Sequence, residues 1–197
     1  NSLGSGQVLQ EPYPYKKAKL VVTEMADALA LDLVAKGLVT NQIVMTVGYD
    51  CDNENYDGEF TYDHYGRKIP KHAHGTFNLD VYSSSGKYLR YAATELFDRI
   101  VNKKLNIRRL YITATNVVRE EGAPQGGTEQ LDLFKNYEEE IARRELFETE
   151  CEKERKCQKA VLALREKYGK NAVLKATSLE DGATARERNN QIGGHKA

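Results

Sequence analysis

The stretch TFNLDVYSSSGKYLRYAATELFDRIVNKKLNIRRLYITATNVV, residues 76–118, carries the reading of the fold. It opens with alternation: Phe77, Leu79 and Val81 fall on one side of an extended chain, Thr76 and Asn78 on the other. Ser83, Ser84 and Ser85 then offer hydroxyl caps. Tyr88, Ala92, Leu96, Ile100 and Val101 follow at helical spacing, predicting a helix to about Lys103. From Ile107 to Val118 alternation returns, with Leu110, Ile112 and Ala114 inward and Arg109, Tyr111, Thr113 and Thr115 outward. The stretch reads strand, helix, strand.

Upstream, the same grammar repeats. Gly6–Gln10 reads as a short extended run, and Pro12 and Pro14 suit the start of a helix. Leu20, Val21, Met25, Leu29, Leu33 and Val34 recur close to the 3.6 period over Lys16–Lys36, with Gly37 as a stop signal. Gln42–Tyr49 is β-branched and alternating, with Ile43, Met45 and Val47 opposite Thr46 and Gly48. A polar, Tyr-rich excursion then runs to about His74. The order is β-α-β-β-α-β, an α+β class, and two amphipathic helices can cover one face of a four-stranded sheet. Its other face is left to Arg109, Tyr111, Thr113, Thr115, Thr46, Thr76 and Asn78.

The chain has 197 residues, 29 Lys+Arg against 29 Asp+Glu, four His, three Cys and no Trp. A mean hydropathy of −0.64 implies that part of it stays solvated. No apolar run is long enough for a membrane-spanning helix, and residue 1 is not followed by a secretory pattern. Cys51 lies far from Cys151 and Cys157, which argues against a disulfide framework and for a cytoplasmic protein. Zero net charge excludes a uniformly basic nucleic-acid binder, but the charge is segregated. Asp50–Asp63 holds six acidic residues and no basic one, whereas Lys87–Arg119 holds eight basic residues and two acidic. The glycine-rich stretch EGAPQGGT, residues 121–128, divides the chain. The expected organisation is 1–122 as the folded domain, 123–136 as a linker and 137–197 as a charged helix and polar tail.

Four features could carry function. On the open sheet face, hydroxyl, amide and guanidinium groups can donate to phosphate oxygens without reading bases, with backbone N–H groups near Gly6 and Gly75 adding to them. An ordinary solvated face is the alternative. Gln130-Leu131-Asp132-Leu133-Phe134, beyond the linker, can place an amide and apolar anchors into a preformed pocket, or dock on its own domain. His64, His72 and His74 lack partners at metal-ligand spacing, and Asp50-x-Asp52-x-Glu54 lacks a calcium loop's glycine, so a solvated hairpin is expected and no metal. The helix from about Glu138 to Tyr168 has few apolar residues over Thr149–Lys159 and reads as extended and partner-dependent; it could pair two copies of the chain. No nucleophile elbow, P-loop or dinucleotide fingerprint occurs, so no catalytic residues and no cofactor are expected.

NSLGSGQVL at residues 1–9, the β-α-β-β-α-β order and Ile107-Arg108-Arg109 resemble the little-finger domain of Y-family translesion DNA polymerases. Tyr62–Gly75 and Leu179–Ala197 resemble UmuC/DinB-like DNA-repair polymerases of Gram-positive bacteria. The resemblance implies a C-terminal portion of an error-prone repair polymerase active in the SOS response to DNA damage. Palm, fingers and thumb, with catalysis and Mg2+, would precede residue 1. It implies that Arg108, Arg109, Thr113, Thr115, Thr76 and Gly6 face template-primer DNA. It further implies that Gln130, Leu131, Leu133 and Phe134 hold the bacterial sliding clamp. The alternative is a ferredoxin-like RNA-binding module with a regulatory tail.

Overall fold

A computed structural model describes residues 1–53, 56–124, 137–192 and 195–196. Strand β1 (Leu3–Tyr13) leads into helix α1 (Tyr15–Ala35), with Pro14 at the helix N-cap. Proline suits that position because the first amides of a helix have no internal partner. The helix stops at Gly37, whose φ of +63° is open to glycine at little cost. Strand β2 (Leu38–Tyr49) follows, then a small hairpin of β3 (Phe60–Tyr62) and β4 (Lys68–Pro70), then β5 (Ala73–Ser83). Helix α2 (Gly86–Ile100) starts from Ser85, whose hydroxyl accepts the Tyr88 amide at 3.2 Å. Strand β6 (Ile107–Thr115) and a short β7 (Val118–Arg119) close the domain.

The long strands lie in the order β1-β6-β2-β5, every neighbouring pair antiparallel. β1 therefore runs parallel to β2 with β6 between them, and β5 parallel to β6 with β2 between them. Each such link needs a crossover, which α1 and α2 supply. A ferredoxin-like sheet is likewise antiparallel but places the first and third strands of the β-α-β-β-α-β order at its centre; here the second and fourth, β2 and β6, are central, so that alternative fold is not the one found. β1 is also far longer than the run Gly6–Gln10, because its edge position lets polar and glycine residues extend while only Leu9 is buried.

The core lies between the sheet and the helices. Ile43, Met45 and Val47 of β2 and Leu110, Ile112 and Ala114 of β6 are all at most 2% exposed, against Val21, Met25, Leu29 and Leu33 of α1 and Leu89, Leu96 and Phe97 of α2. Tyr15 stacks on Phe97 and donates its hydroxyl to Asp98, which also takes Lys19 at 2.6 Å. Burial and the Asp98 hydrogen bond push the Tyr15 phenol up to about 12.

Helix α3 (Tyr137–Tyr168) departs from the expectation of an extended, partner-dependent element. Its polar middle docks on the domain's helical side. Glu154 accepts the Ser85 hydroxyl and the Lys87 amide, Gln158 donates to the Ser84 carbonyl at 3.1 Å, and Arg155 pairs with Glu120. The chain then returns across α1: Lys175 meets Asp27 at 2.7 Å. Buried Glu24 accepts the Thr184 and Ala185 amides at the start of the short helix α4 (Ala185–Asn189) at 2.8 and 3.0 Å. Apolar periodicity could not reveal this docking, because hydrogen bonds and ion pairs carry it. Among the described residues no helix is long and apolar enough to cross a membrane.

Candidate nucleic-acid interface

The uncovered face of the sheet is built in rows that cross the strands. In one, Gln42 donates to Asn78 at 2.8 Å and accepts the Thr115 hydroxyl at 2.6 Å. In the next, Thr76, Val44 and Thr113 are in register; in a third, His74 Nδ1 and the Thr46 hydroxyl lie 2.9 Å apart beside Tyr111. A last row holds Gly48, Arg109 and Val8. The strand alternation thus brings Arg109, Tyr111, Thr113, Thr115, Thr46, Thr76 and Asn78 together on one surface.

Two glycines make room for the larger side chains. A Cβ on Gly6 would sit 2.5 Å from the Tyr111 ring, which lies across β1 at that point. One on Gly48 would sit 3.2 Å from the Arg109 Cβ. Gly6 is therefore on the open face, but as the floor under an aromatic ring rather than as a free backbone donor. At Gly75 the missing Cβ points at Leu96 and Ile100 of α2, on the covered face.

Arg108 and Arg109 are adjacent, which in a regular strand would send them to opposite faces. The register slips here: Gly48 faces Arg109 while Tyr49 faces Ile107, leaving Arg108 as the extra residue of a bulge. Both arginines line one pocket of about 470 Å³ beside the open face. Their states differ. Arg108 donates to the Gln10 carbonyl at 2.9 Å and faces Asp50 at 3.6 Å, whereas Arg109 has no hydrogen bond or ion pair among the described residues. Gln130, Leu131, Leu133 and Phe134 lie outside the described residues.

The histidines do not assemble. Among the described residues the one group of three or more metal-capable side chains with ligand atoms within 4.8 Å of one another is Asp50, Cys51 and Asp52, centred on the Asp50 carboxylate. That carboxylate is already engaged, by the Asp52 amide at 3.0 Å, the Cys51 thiol at 3.4 Å and Arg108. The Asp50 carboxylate holds the Cys51 thiol up, by hydrogen bond and by charge, so the cluster disfavours a thiolate ligand.

Family comparison decides what this domain is. The model of the impB/mucB/samB family C-terminal domain matches residues 1–133. The chain belongs to this family. The resemblance to Y-family, UmuC/DinB-like repair polymerases is borne out at that level, for their C-terminal region. Over its full length the chain is 26% identical to UvrX of Bacillus subtilis (strain 168), a protein described by name with UV-damage repair, and spans 39% of that relative's length. It is also similar to a solved structure titled as the complex of the beta-clamp processivity factor and the little finger domain of PolIV. That match has 10% identity and a TM-score of 0.37, over 68% of this chain and all of that one.

The excursion between β2 and β5 was read as a solvated hairpin, and in this impB/mucB/samB domain β3 and β4 form one beside the open face. Asp63 shapes its tip. It accepts the Tyr65 and Arg67 amides at 2.9 Å each and the Arg67 guanidinium at 2.8 Å, and Gly66 turns the chain at φ +76°. Burial works to raise the Asp63 carboxyl, but those hydrogen bonds outweigh it and hold the group below its ordinary value. Arg67, His72, Arg109 and Tyr111 line the pocket together, so hairpin and sheet share one boundary. Sequence reasoning assigned the hairpin no role; its exposed tyrosines beside basic residues were the signal available.

Proposed function

We propose that this chain is the DNA-holding and clamp-tethering C-terminal region of an error-prone repair polymerase. Residues 1–122 would form the little finger, 123–136 a linker with the clamp motif, and 137–197 a charged helix and tail. The observation that carries the DNA reading is the open face: hydroxyls, amides and one guanidinium unpaired among the described residues, Arg109, in rows on an antiparallel sheet. Such a lawn of donors suits phosphate oxygens, which fix a duplex in place without reading its bases. Arg109, Thr113, Thr115 and Thr76 are its contacts, Arg108 is held back by Asp50, and Gly6 acts by seating Tyr111.

The mechanism is positional. Neutralising phosphates releases counterions, so affinity falls with salt and depends little on sequence. Catalysis, with its Mg2+, belongs to the polymerase domains of the longer protein, to which this region would lend grip. The sequence Gln130–Phe134 supports a tether to the bacterial sliding clamp, which raises the effective concentration of the enzyme at the primer end. The DNA reading is tested by titrating duplexes of unrelated sequence at several salt concentrations. The expected result is equal affinity for all of them and a common negative slope of log K against log salt; a flat slope overturns it. For the tether, calorimetry against a bacterial sliding clamp should give binding that Leu133→Ala with Phe134→Ala abolishes.

A further inference from the structure

The hairpin carries features that duplex holding does not use. Tyr62 and Tyr65 are 73% and 76% exposed, an unusual placement for two large rings on one short hairpin. They are not loosely held. The Asp63 side chain, 4% exposed, ties the tip together, and the Lys71 amide closes its base on the Glu59 carbonyl at 2.9 Å. Arg67 lies over the Tyr65 ring with its centre 5.4 Å away, and Lys68 over the Phe60 ring at 4.0 Å. Rigid presentation of exposed rings lowers the ordering cost of whatever stacks on them.

Charge indicates what that is. Within the hairpin Glu59 pairs with Lys71 and Asp63 with Arg67, leaving Lys68, over the Phe60 ring, as the cation with no ion pair among the described residues. The pocket between hairpin and sheet is lined by Arg67, Arg108 and Arg109 beside Asp63, Asp50 and Asp52. The first two arginines pair with Asp63 and Asp50, which leaves Arg109, beside Asp52, as the arginine unpaired among the described residues. At about 470 Å³ the pocket falls within the size range of cavities that take small ligands. Aromatic faces interleaved with cations beside a phosphate-holding surface suit unpaired nucleotides: every base has a face to stack, and the backbone follows the cations.

We propose that the β3–β4 hairpin is a stacking finger for single-stranded DNA continuous with the duplex on the open face, with Tyr62 and Tyr65 as its platforms. The proposal rests on the duplex-holding reading and deepens it by naming a second, unpaired segment of the same DNA.

The test compares a blunt duplex with the same duplex extended by about six unpaired nucleotides, by fluorescence anisotropy on the full chain. The unaltered protein should bind the extended form roughly tenfold more tightly. Tyr62→Ala with Tyr65→Ala should lose that preference and keep its affinity for the blunt duplex, and Tyr62→Phe with Tyr65→Phe should retain both. Equal affinity of the unaltered protein for the two DNAs, or a preference that survives the alanine pair, overturns the finger while the duplex reading stands. Failure to bind either DNA overturns both.

Discussion

Replacing Arg109 with alanine should remove about one unit from the salt dependence of duplex binding and leave the domain folded as before. The guanidinium has no ion pair or hydrogen bond among the described residues, so it has a charge to give to a phosphate. Each phosphate neutralised adds about 0.9 to the slope, and between 50 and 200 mM salt the variant should lose roughly threefold less affinity than the parent. Alanine keeps the Cβ that packs over Gly48, so stability should stay within about 0.5 kcal/mol. Arg108→Ala is the contrasting case. It removes the bond to the Gln10 carbonyl and leaves Asp50, whose side chain is 9% exposed, without its cation. That variant should lose about 1–2 kcal/mol in urea unfolding while changing the slope by less than half as much as Arg109→Ala. Anisotropy titrations across a salt series, beside urea unfolding of each variant, read both quantities. An Arg109→Ala slope equal to the parent's, or equal changes from the two arginines, would refute the argument that pairing within the bulge decides which one meets DNA.

Other consequences are as direct. Gly6→Ala should lower stability by about 1–3 kcal/mol in thermal unfolding, because its Cβ would lie 2.5 Å from the Tyr111 ring; adding Tyr111→Ala should recover much of that loss. Tyr15, raised from 10.0 to about 12 in the folded protein, stabilises it through its protonated form, fully so below pH 10. That contribution should fade as pH climbs from 10 to 12, and Tyr15→Phe, weaker at neutral pH, should show a flatter alkaline unfolding profile. Asp63, depressed in the folded protein, contributes above the ordinary carboxylate range and loses this as pH falls through its folded value; the protection of the Tyr65 and Arg67 amides against hydrogen exchange, taken relative to their intrinsic rates, should drop in acid, and already at neutral pH in Asp63→Asn. Glu154→Ala frees the Ser85 hydroxyl and the Lys87 amide, and should speed hydrogen exchange along α3 near residue 154 while the sheet stays protected.

The order of elements was legible because period and burial agree. Ile43, Met45 and Val47 alternate because β2 has one buried face, and Ala92 and Leu96, with Val101 just beyond the helix, recur at helical spacing because α2 covers it. The open face followed by subtraction, since two helices cannot cover both sides of the sheet. The face of Gly75 was not legible, because a glycine carries no polarity to assign it to one; only the approach of Leu96 and Ile100 does. The tail was misread because its docking uses Glu154, Gln158, Lys175 and Glu24, residues that look solvated in any one-dimensional pattern.

What the sequence by itself determined is therefore local: strand and helix spacing, caps at Ser85 and Gly37, the hydroxyl-rich outer residues, and kinship with the impB/mucB/samB family. Tertiary structure alone decided how strands from distant parts of the chain align. That alignment laid Tyr111 over Gly6, set Asp50 against Arg108 while sparing Arg109, and brought the tyrosine hairpin beside the sheet. The reason is physical. Periodicity records which side of an element is buried, a one-body property of each residue, whereas pairing, bulging and polar docking depend on two-body distances between residues far apart in the chain.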